Sequence, residues 1–130
     1  MPIQENSGGY EMANLNDSMN ELMTVDGAVA TSLVDGNSGM MLAQAGGGID
    51  LEVAAAGNTE VVRAKMKTMK ALNLKDEIED ILITLGKHYH IIRPVGSKPG
   101  LFFYVVLDRA RSNLALARRK VLDVEGALTL

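Results

Sequence analysis

The chain has 130 residues, 47 % of them hydrophobic and 22 % charged, with a formal net charge of −3. That length holds one domain with a real core and is too short for two ordinary ones, and the composition is far from that of a disordered chain. No strong positive field draws the protein to nucleic acid or to an anionic membrane, and without cysteine it has no disulfide, thiol nucleophile or cysteine–zinc site, which fits a cytoplasmic protein.

Residues 1–10, opening Met-Pro-Ile-Gln-Glu-Asn-Ser-Gly-Gly, read as a loose tail and lack the basic region and apolar core of a secretory signal. Met12, Leu15, Met19 and Leu22 then recur at offsets of three and four, which predicts a short amphipathic helix ending before Asp26-Gly27. Ala28–Val34 and Met40–Ala45 read as a hairpin around Asp35-Gly36-Asn37-Ser38-Gly39, a run of residues that tolerate positive φ or bond their own backbone. Both strands are apolar or small on both faces, which predicts a sheet covered on both sides. After the glycine break Gly46–Gly48, Asp50 is placed to cap a long helix, Asp50–Asn73. One stripe of that helix is Leu51, Ala55, Asn58, Val62, Met66 and Met69. A second, wet stripe is Glu60, Arg63, Lys67 and Lys70.

The remainder reads as an antiparallel meander. Glu77–Leu85 is the first strand, Gly86-Lys87 a tight turn, and His88–Arg93 the second strand, stopped by Pro94. Leu101–Leu107 is the most apolar run and is predicted to lie at the centre of the sheet. Asp108 then caps a last helix reaching Val124. The order is α-β-β-α-β-β-β-α in one domain, residues 11–124, with a C-terminal tail at 125–130. No run of about 20 apolar residues spans a bilayer.

Chemistry is sparse. Gly46–Gly48 before a helix suggests a phosphate cradle, but no Gly-Lys-Ser/Thr follows and Asp50 sets negative charge where an anion would sit, so a chain reversal is expected. His88 and His90, two apart on a strand, face the same side, which suits a shared metal, yet no third ligand is evident and polar residues on an exposed strand face explain them. Ser32, Ser38, Ser97 and Ser112 have no nucleophile-elbow context. Glu77, Glu79 and Asp80 read as residues that keep a sheet edge soluble rather than as acid/base groups. Arg109, Arg111, Arg118, Arg119 and Lys120 make the last helix basic, but without interleaved aromatics a solvated face is expected, with an anionic partner surface second. No catalytic group, cofactor or metal is assigned.

Leu22–Ala43, with Val25-Asp26-Gly27-Ala28-Val29 leading into Val34-Asp35-Gly36-Asn37-Ser38-Gly39-Met40, resembles the first hairpin of the roadblock family, named for dynein-associated light chains. The Ala-rich helix with Leu51, Ala54, Ala55 and Val62, the strand Asp80–Thr84, and Phe102–Leu107 with its final helix continue the resemblance over residues 11–122. It implies a five-stranded antiparallel sheet between helices, related to the longin and profilin-like folds. It also implies homodimers formed by the middle strand and the long helix. Bacterial and archaeal members regulate or scaffold Ras-like small GTPases, eukaryotic ones join dynein or lysosomal complexes, and none is known for bond-making chemistry.

The residues support that picture independently. Glu77–Leu85 is apolar at its centre, and as an open edge it invites pairing with a second copy of itself about a two-fold axis. The flank of the long helix formed by Val61, Lys65, Thr68 and Leu72 is free for a sister helix. The expected homodimer interface is therefore Val61, Lys65, Thr68, Leu72, Asp80, Ile81, Leu82 and Ile83. Two functions follow: a dimeric, non-enzymatic module that binds a small Ras-like GTPase, with Arg63 or Arg109 as candidates for a supplied arginine, or a small ligand- or metal-binding domain or enzyme centred on His88, His90 and the 94–100 loop.

Overall fold

The computed structural model describes the backbone of residues 6–128, and side chains from Asn14 onward. The elements are α1 (Asn6–Leu22), β1 (Ala28–Asp35), β2 (Met40–Gly46), α2 (Leu51–Ala71), β3 (Ile81–Thr84), β4 (His88–Pro94), β5 (Leu101–Asp108) and α3 (Leu114–Ala127), in the expected order. All strand pairs are antiparallel, and the sheet order is β2-β1-β5-β4-β3. The run Leu101–Leu107 is thus central, as its apolar sequence predicts.

Alternation along β5 divides the interior in two. Phe103, Val105 and Leu107 point to one face, where they join Leu15, Met19 and Leu22 of α1 and Ala117, Val121 and Val124 of α3. Phe102, Tyr104 and Val106 point to the other and meet Leu51 and Ala55 of α2. The sheet therefore lies between two helices on one side and one on the other. Both faces of β1 and β5 are covered, whereas β2 is an edge strand with Met40 and Leu42 exposed, a correction to the expectation that both hairpin strands are buried.

Four boundaries differ from the sequence reading. α1 begins at Asn6, inside the stretch read as a tail, while residues 1–5 lie outside those described. β3 is only Ile81–Thr84 rather than Glu77–Leu85. One residue further back, Asp80 would stand opposite Arg93 and Glu79 opposite Pro94. Proline has no N–H to donate. Arg93 Nη1 instead bonds the Glu79 carbonyl at 2.9 Å, and Arg118 grips the Asp80 carboxylate at 2.9 and 3.0 Å, so side chains hold this segment where a ladder would otherwise run.

The last helix is capped by Asn113, whose side chain accepts from Leu116 N, and not by Asp108. Asp108 ends β5 in a turn, accepting from Ala110 N through Oδ1 and from Arg111 N through its carbonyl. α3 also runs past Val124 to Ala127. Glu125, within the expected C-terminal tail, bonds Arg93 at 2.7 Å and Gly96 N at 2.8 Å, and Leu128 joins the core; residues 129–130 lie outside those described.

The long helix starts where Asp50 predicts, its Oδ1 accepting from Val53 N at 3.1 Å. It ends in a paired closure: Leu74 N bonds Met69 O and Asn73 N bonds Lys70 O, with Asn73 at φ 58° supplying the left-handed residue.

Candidate interaction surface

The apolar stripe of α2 is only half used. Leu51, Ala55 and Thr59 are buried, and then Arg63 donates from Nη2 to the carbonyls of Gly36 (2.7 Å) and Asn37 (2.9 Å) in the β1–β2 turn. At Arg63 the helix has reached the end of the hairpin. Ala64 to Ala71 carry it about 12 Å further, and of those side chains all but Met69 are exposed. Met66, expected in the core stripe, is 58 % exposed.

The expected dimer flank continues the line of Asn58, stepping three, four, three and four residues to Val61, Lys65, Thr68 and Leu72. All four are exposed, Val61 at 38 % and Leu72 at 62 %. Asn58 marks which way this line looks, because it lies beside the Tyr104 hydroxyl of β5. Tyr104 in turn contacts His90 Nδ1 of β4 at 3.0 Å. The flank therefore overlooks the half of the sheet that α2 does not cover. On that half lie His88, His90, Ile81 and Ile83, all half-buried.

β3 borders the same area. It pairs with β4 alone, leaving its outer edge open. Ile81 leans on the core beneath α2 and Leu82 on the opposite core, so the edge is anchored from both faces. Asp80, expected at the interface, has its carboxylate held by Arg118 of α3 and ties the edge strand to that helix. Ile81 and Ile83 thus share the sheet face that carries α2, Leu82 lies on the opposite face, and the Asp80 carboxylate is held by Arg118.

The histidines form part of a polar cluster that the sequence reading missed. His90 meets Tyr104 edge-on with ring centres 5.4 Å apart, and His88 lies 6.4 Å from His90. Burial lowers the His90 pKa below its ordinary 6.5, and the neighbouring His88 pushes the same way. Burial raises the Tyr104 phenol, against the pull of Asn58. The Asn58 amide nitrogen is buried without a hydrogen bond. Two signals pointed here: one Tyr inside the apolar run Leu101–Leu107, and one Asn in the apolar stripe of an Ala-rich helix, since buried polar groups seek partners. Among the described residues, no group of three His, Cys, Asp or Glu is placed to hold a metal.

The other candidates fall into structural roles. Gly46 has φ +80°, and a Cβ there would sit 2.3 Å from the Val29 carbonyl oxygen; Gly47 N bonds that same oxygen, so the glycine break is a close chain reversal. The hydroxyls of Ser32 and Ser112 are buried and unpartnered, and Ser38 closes the hairpin turn through Asp35 and Met40. The basic residues of α3 are balanced by carboxylates: Arg118 with Asp80, Arg119 with Asp123, Lys120 with Glu21. Arg109 bonds Leu85 O at 2.9 Å and lies 5.2 Å over the Tyr89 ring. A cleft of ≈ 370 Å³ beside β3 is lined by Glu79, Asp80, Arg93 and Arg118, the last three all ion-paired. No described helix is long and apolar enough to cross a membrane.

No family model and no curated protein sequence matches the chain. Solved structures do match its fold. Myxococcus xanthus MglB is 22 % identical at TM-score 0.74, covering 95 % of this chain and 94 % of that one. A Roadblock/LC7 domain from Streptomyces avermitilis is 15 % identical at TM-score 0.76, covering 87 % and 92 %. An MglB in a tetrameric arrangement is 16 % identical at TM-score 0.78, covering 91 % and 87 %. The chain has the roadblock fold that its sequence resemblance implied.

Proposed function

We propose that this protein is a non-catalytic roadblock module that joins a second copy of itself and binds a small Ras-like GTPase, biasing the nucleotide state of that partner in the cytoplasm. The observation that carries the reading is that the sheet leaves the β3 edge open while the flank Val61, Lys65, Thr68 and Leu72 of α2 stays exposed. A bare strand edge and an exposed helix flank together favour a partner built the same way, because one two-fold axis can satisfy both. The tetrameric arrangement of an MglB of this fold supports self-association, and the roadblock resemblance supplies the GTPase. Arg63 and Arg109 are both engaged within the chain, so an effect on hydrolysis is better explained by ordering of the GTPase's own groups than by an inserted arginine.

Sedimentation at micromolar concentration tests the first half. The wild type should sediment as a dimer, and V61E/L72E, altering two exposed side chains, should sediment as a folded monomer. For the second half, small GTPases encoded in the same genome are loaded with GDP or a non-hydrolysable GTP analogue and passed over the immobilised protein. Nucleotide-dependent retention of one of them is expected; equal indifference of all of them removes the GTPase from the reading.

A further inference from the structure

We propose that the projecting C-terminal end of α2 docks on an anionic membrane surface: Lys67, Lys70 and Lys75 hold it to acidic lipid headgroups, and Met66 and Leu74 dip into the boundary beneath them. This contact is independent of the self-association and of the GTPase proposed above.

The net charge of −3 hides an uneven distribution. From Val61 to Lys75 the chain carries Arg63, Lys65, Lys67, Lys70 and Lys75 and no carboxylate; acids resume only at Asp76 and Glu77. Arg63 is held by the Gly36 and Asn37 carbonyls and lies 3.8 Å from Glu60. The four lysines are exposed, and among the described residues none of them enters an ion pair. The basic residues of α3 differ, because Arg118, Arg119 and Lys120 each face a carboxylate of the chain. The end of α2 is therefore a local positive field that its surroundings do not cancel.

Helix geometry places these groups. Lys67 and Lys70 follow Arg63 at offsets of four and three, so they share one side of α2. That side is roughly 160° round the helix from the flank Val61, Lys65, Thr68 and Leu72, so a second copy on the flank leaves it free. Met66 continues the line of Ala55, Thr59 and Val62, but past Arg63 no hairpin remains beneath it. Met66 and Leu74 are 58 % and 50 % exposed. Leu74 N bonds Met69 O, which folds Leu74 and Lys75 back against the last turn.

Composition selects the occupant. Where proteins bind each other, lysine is depleted and aromatic residues and arginine are enriched. Here four of the five cations are lysines, and neither α2 nor the segment from it to Asp80 contains an aromatic residue. Nucleic-acid bases would likewise find nothing to stack on. A lipid surface needs neither. It attracts flexible lysines as point charges and accepts aliphatic side chains between them. A helix end that projects about 12 Å past the hairpin also reaches a flat surface ahead of that part of the body. No described helix is long and apolar enough to cross a membrane, so the contact is peripheral.

Sedimentation with vesicles tests this. The full chain is mixed at low salt with vesicles of phosphatidylcholine alone, or of phosphatidylcholine and phosphatidylserine at about three to one. The wild type should pellet with the anionic vesicles and stay in solution with the neutral ones, and added salt should release it. K67Q/K70Q/K75Q alters three exposed side chains and keeps good helix formers at Lys67 and Lys70. It should bind about a hundredfold more weakly, roughly fivefold for each lysine near the surface. K87Q, altering an exposed lysine in the β3–β4 turn at the other end of the sheet, should bind as wild type does. M66Q should bind a few-fold more weakly with the salt dependence of wild type. A wild type that ignores anionic vesicles, or a triple variant that binds them as wild type does, overturns the proposal. Binding to soluble polyglutamate or to single-stranded DNA without partition to vesicles overturns it too, and assigns the lysines to a protein or nucleic-acid partner. Sedimentation without vesicles reads self-association separately.

Discussion

At the scale of single residues, the polar cluster under the open half of the sheet is the most sensitive point. With His90 neutral and Nδ1 unprotonated, the Tyr104 hydroxyl donates to it across 3.0 Å. A proton on Nδ1 would set two donors against each other unless the hydroxyl turned, and the Asn58 amide nitrogen beside it is another donor without a hydrogen bond. The His90 pKa is lowered in the fold, by burial first and by His88 second, so the folded chain holds fewer protons than the unfolded one below the ordinary value of 6.5. Its contribution to stability is therefore complete above that value and is lost as pH falls through the folded pKa. Chemical denaturation of the wild type at pH 7.5 and pH 5 should show lower stability at the acidic value, beyond any change shared with H90Q. A pH slope identical in H90Q would assign the effect to other groups.

At the scale of elements, the legible features are those written in local pattern. Asp50 three residues before Val53 and the Asp35–Gly39 turn follow from side chains that bond their own neighbourhood, and the closure at Asn73 follows from a residue type that tolerates the left-handed conformation. D50A should accordingly cost about 1 kcal/mol by urea denaturation, with D50S or D50N recovering most of it. What the pattern hid depends on distant partners. The apolar stripe of α2 runs unbroken to Met69, and nothing local says that the hairpin ends beneath Arg63 and leaves Met66 in solvent. Glu77–Asp80 has the look of strand, yet its partner strand turns into Arg93-Pro94, and Arg93 and Arg118 bind the segment in another way. Asp108 is as good a capping residue as Asn113, and the choice falls to Asn113 because Asp108 N is still bonded to the Gly27 carbonyl at the end of the sheet. The exposed flank of α2 and the apolar centre of β3 were legible for the same reason as the Asp50 cap, because both are written in local periodicity. The hold of Arg118 on Asp80 was not, since Arg118 lies far along the chain.

At the scale of the whole molecule, the two cores share β5, so neither helix layer stands without the central strand, and a single cooperative unfolding transition is expected for the monomer. Among the exposed apolar residues outside those cores, Val61, Met66, Leu72 and Leu74, 38 to 62 % exposed, form a reserve along α2 and its C-terminal end. If a second copy covers this reserve, folding and association are linked, and stability must depend on protein concentration. The dimer's unfolding to two chains gains about 1.4 kcal/mol per mole of dimer for each tenfold rise in concentration, by mass action alone. Denaturation followed at two concentrations a hundredfold apart should therefore shift the wild-type midpoint upward at the higher one. The V61E/L72E variant should give the same midpoint at both, and that midpoint should approach the wild type's at high dilution, because the substituted side chains contribute little to either core. A wild-type midpoint indifferent to concentration would mean that the reserve is left in water, which would remove the physical reason for the second copy. A shift that persists in V61E/L72E would instead place the contact on another surface, with β2 and its exposed Met40 and Leu42 the next edge to examine.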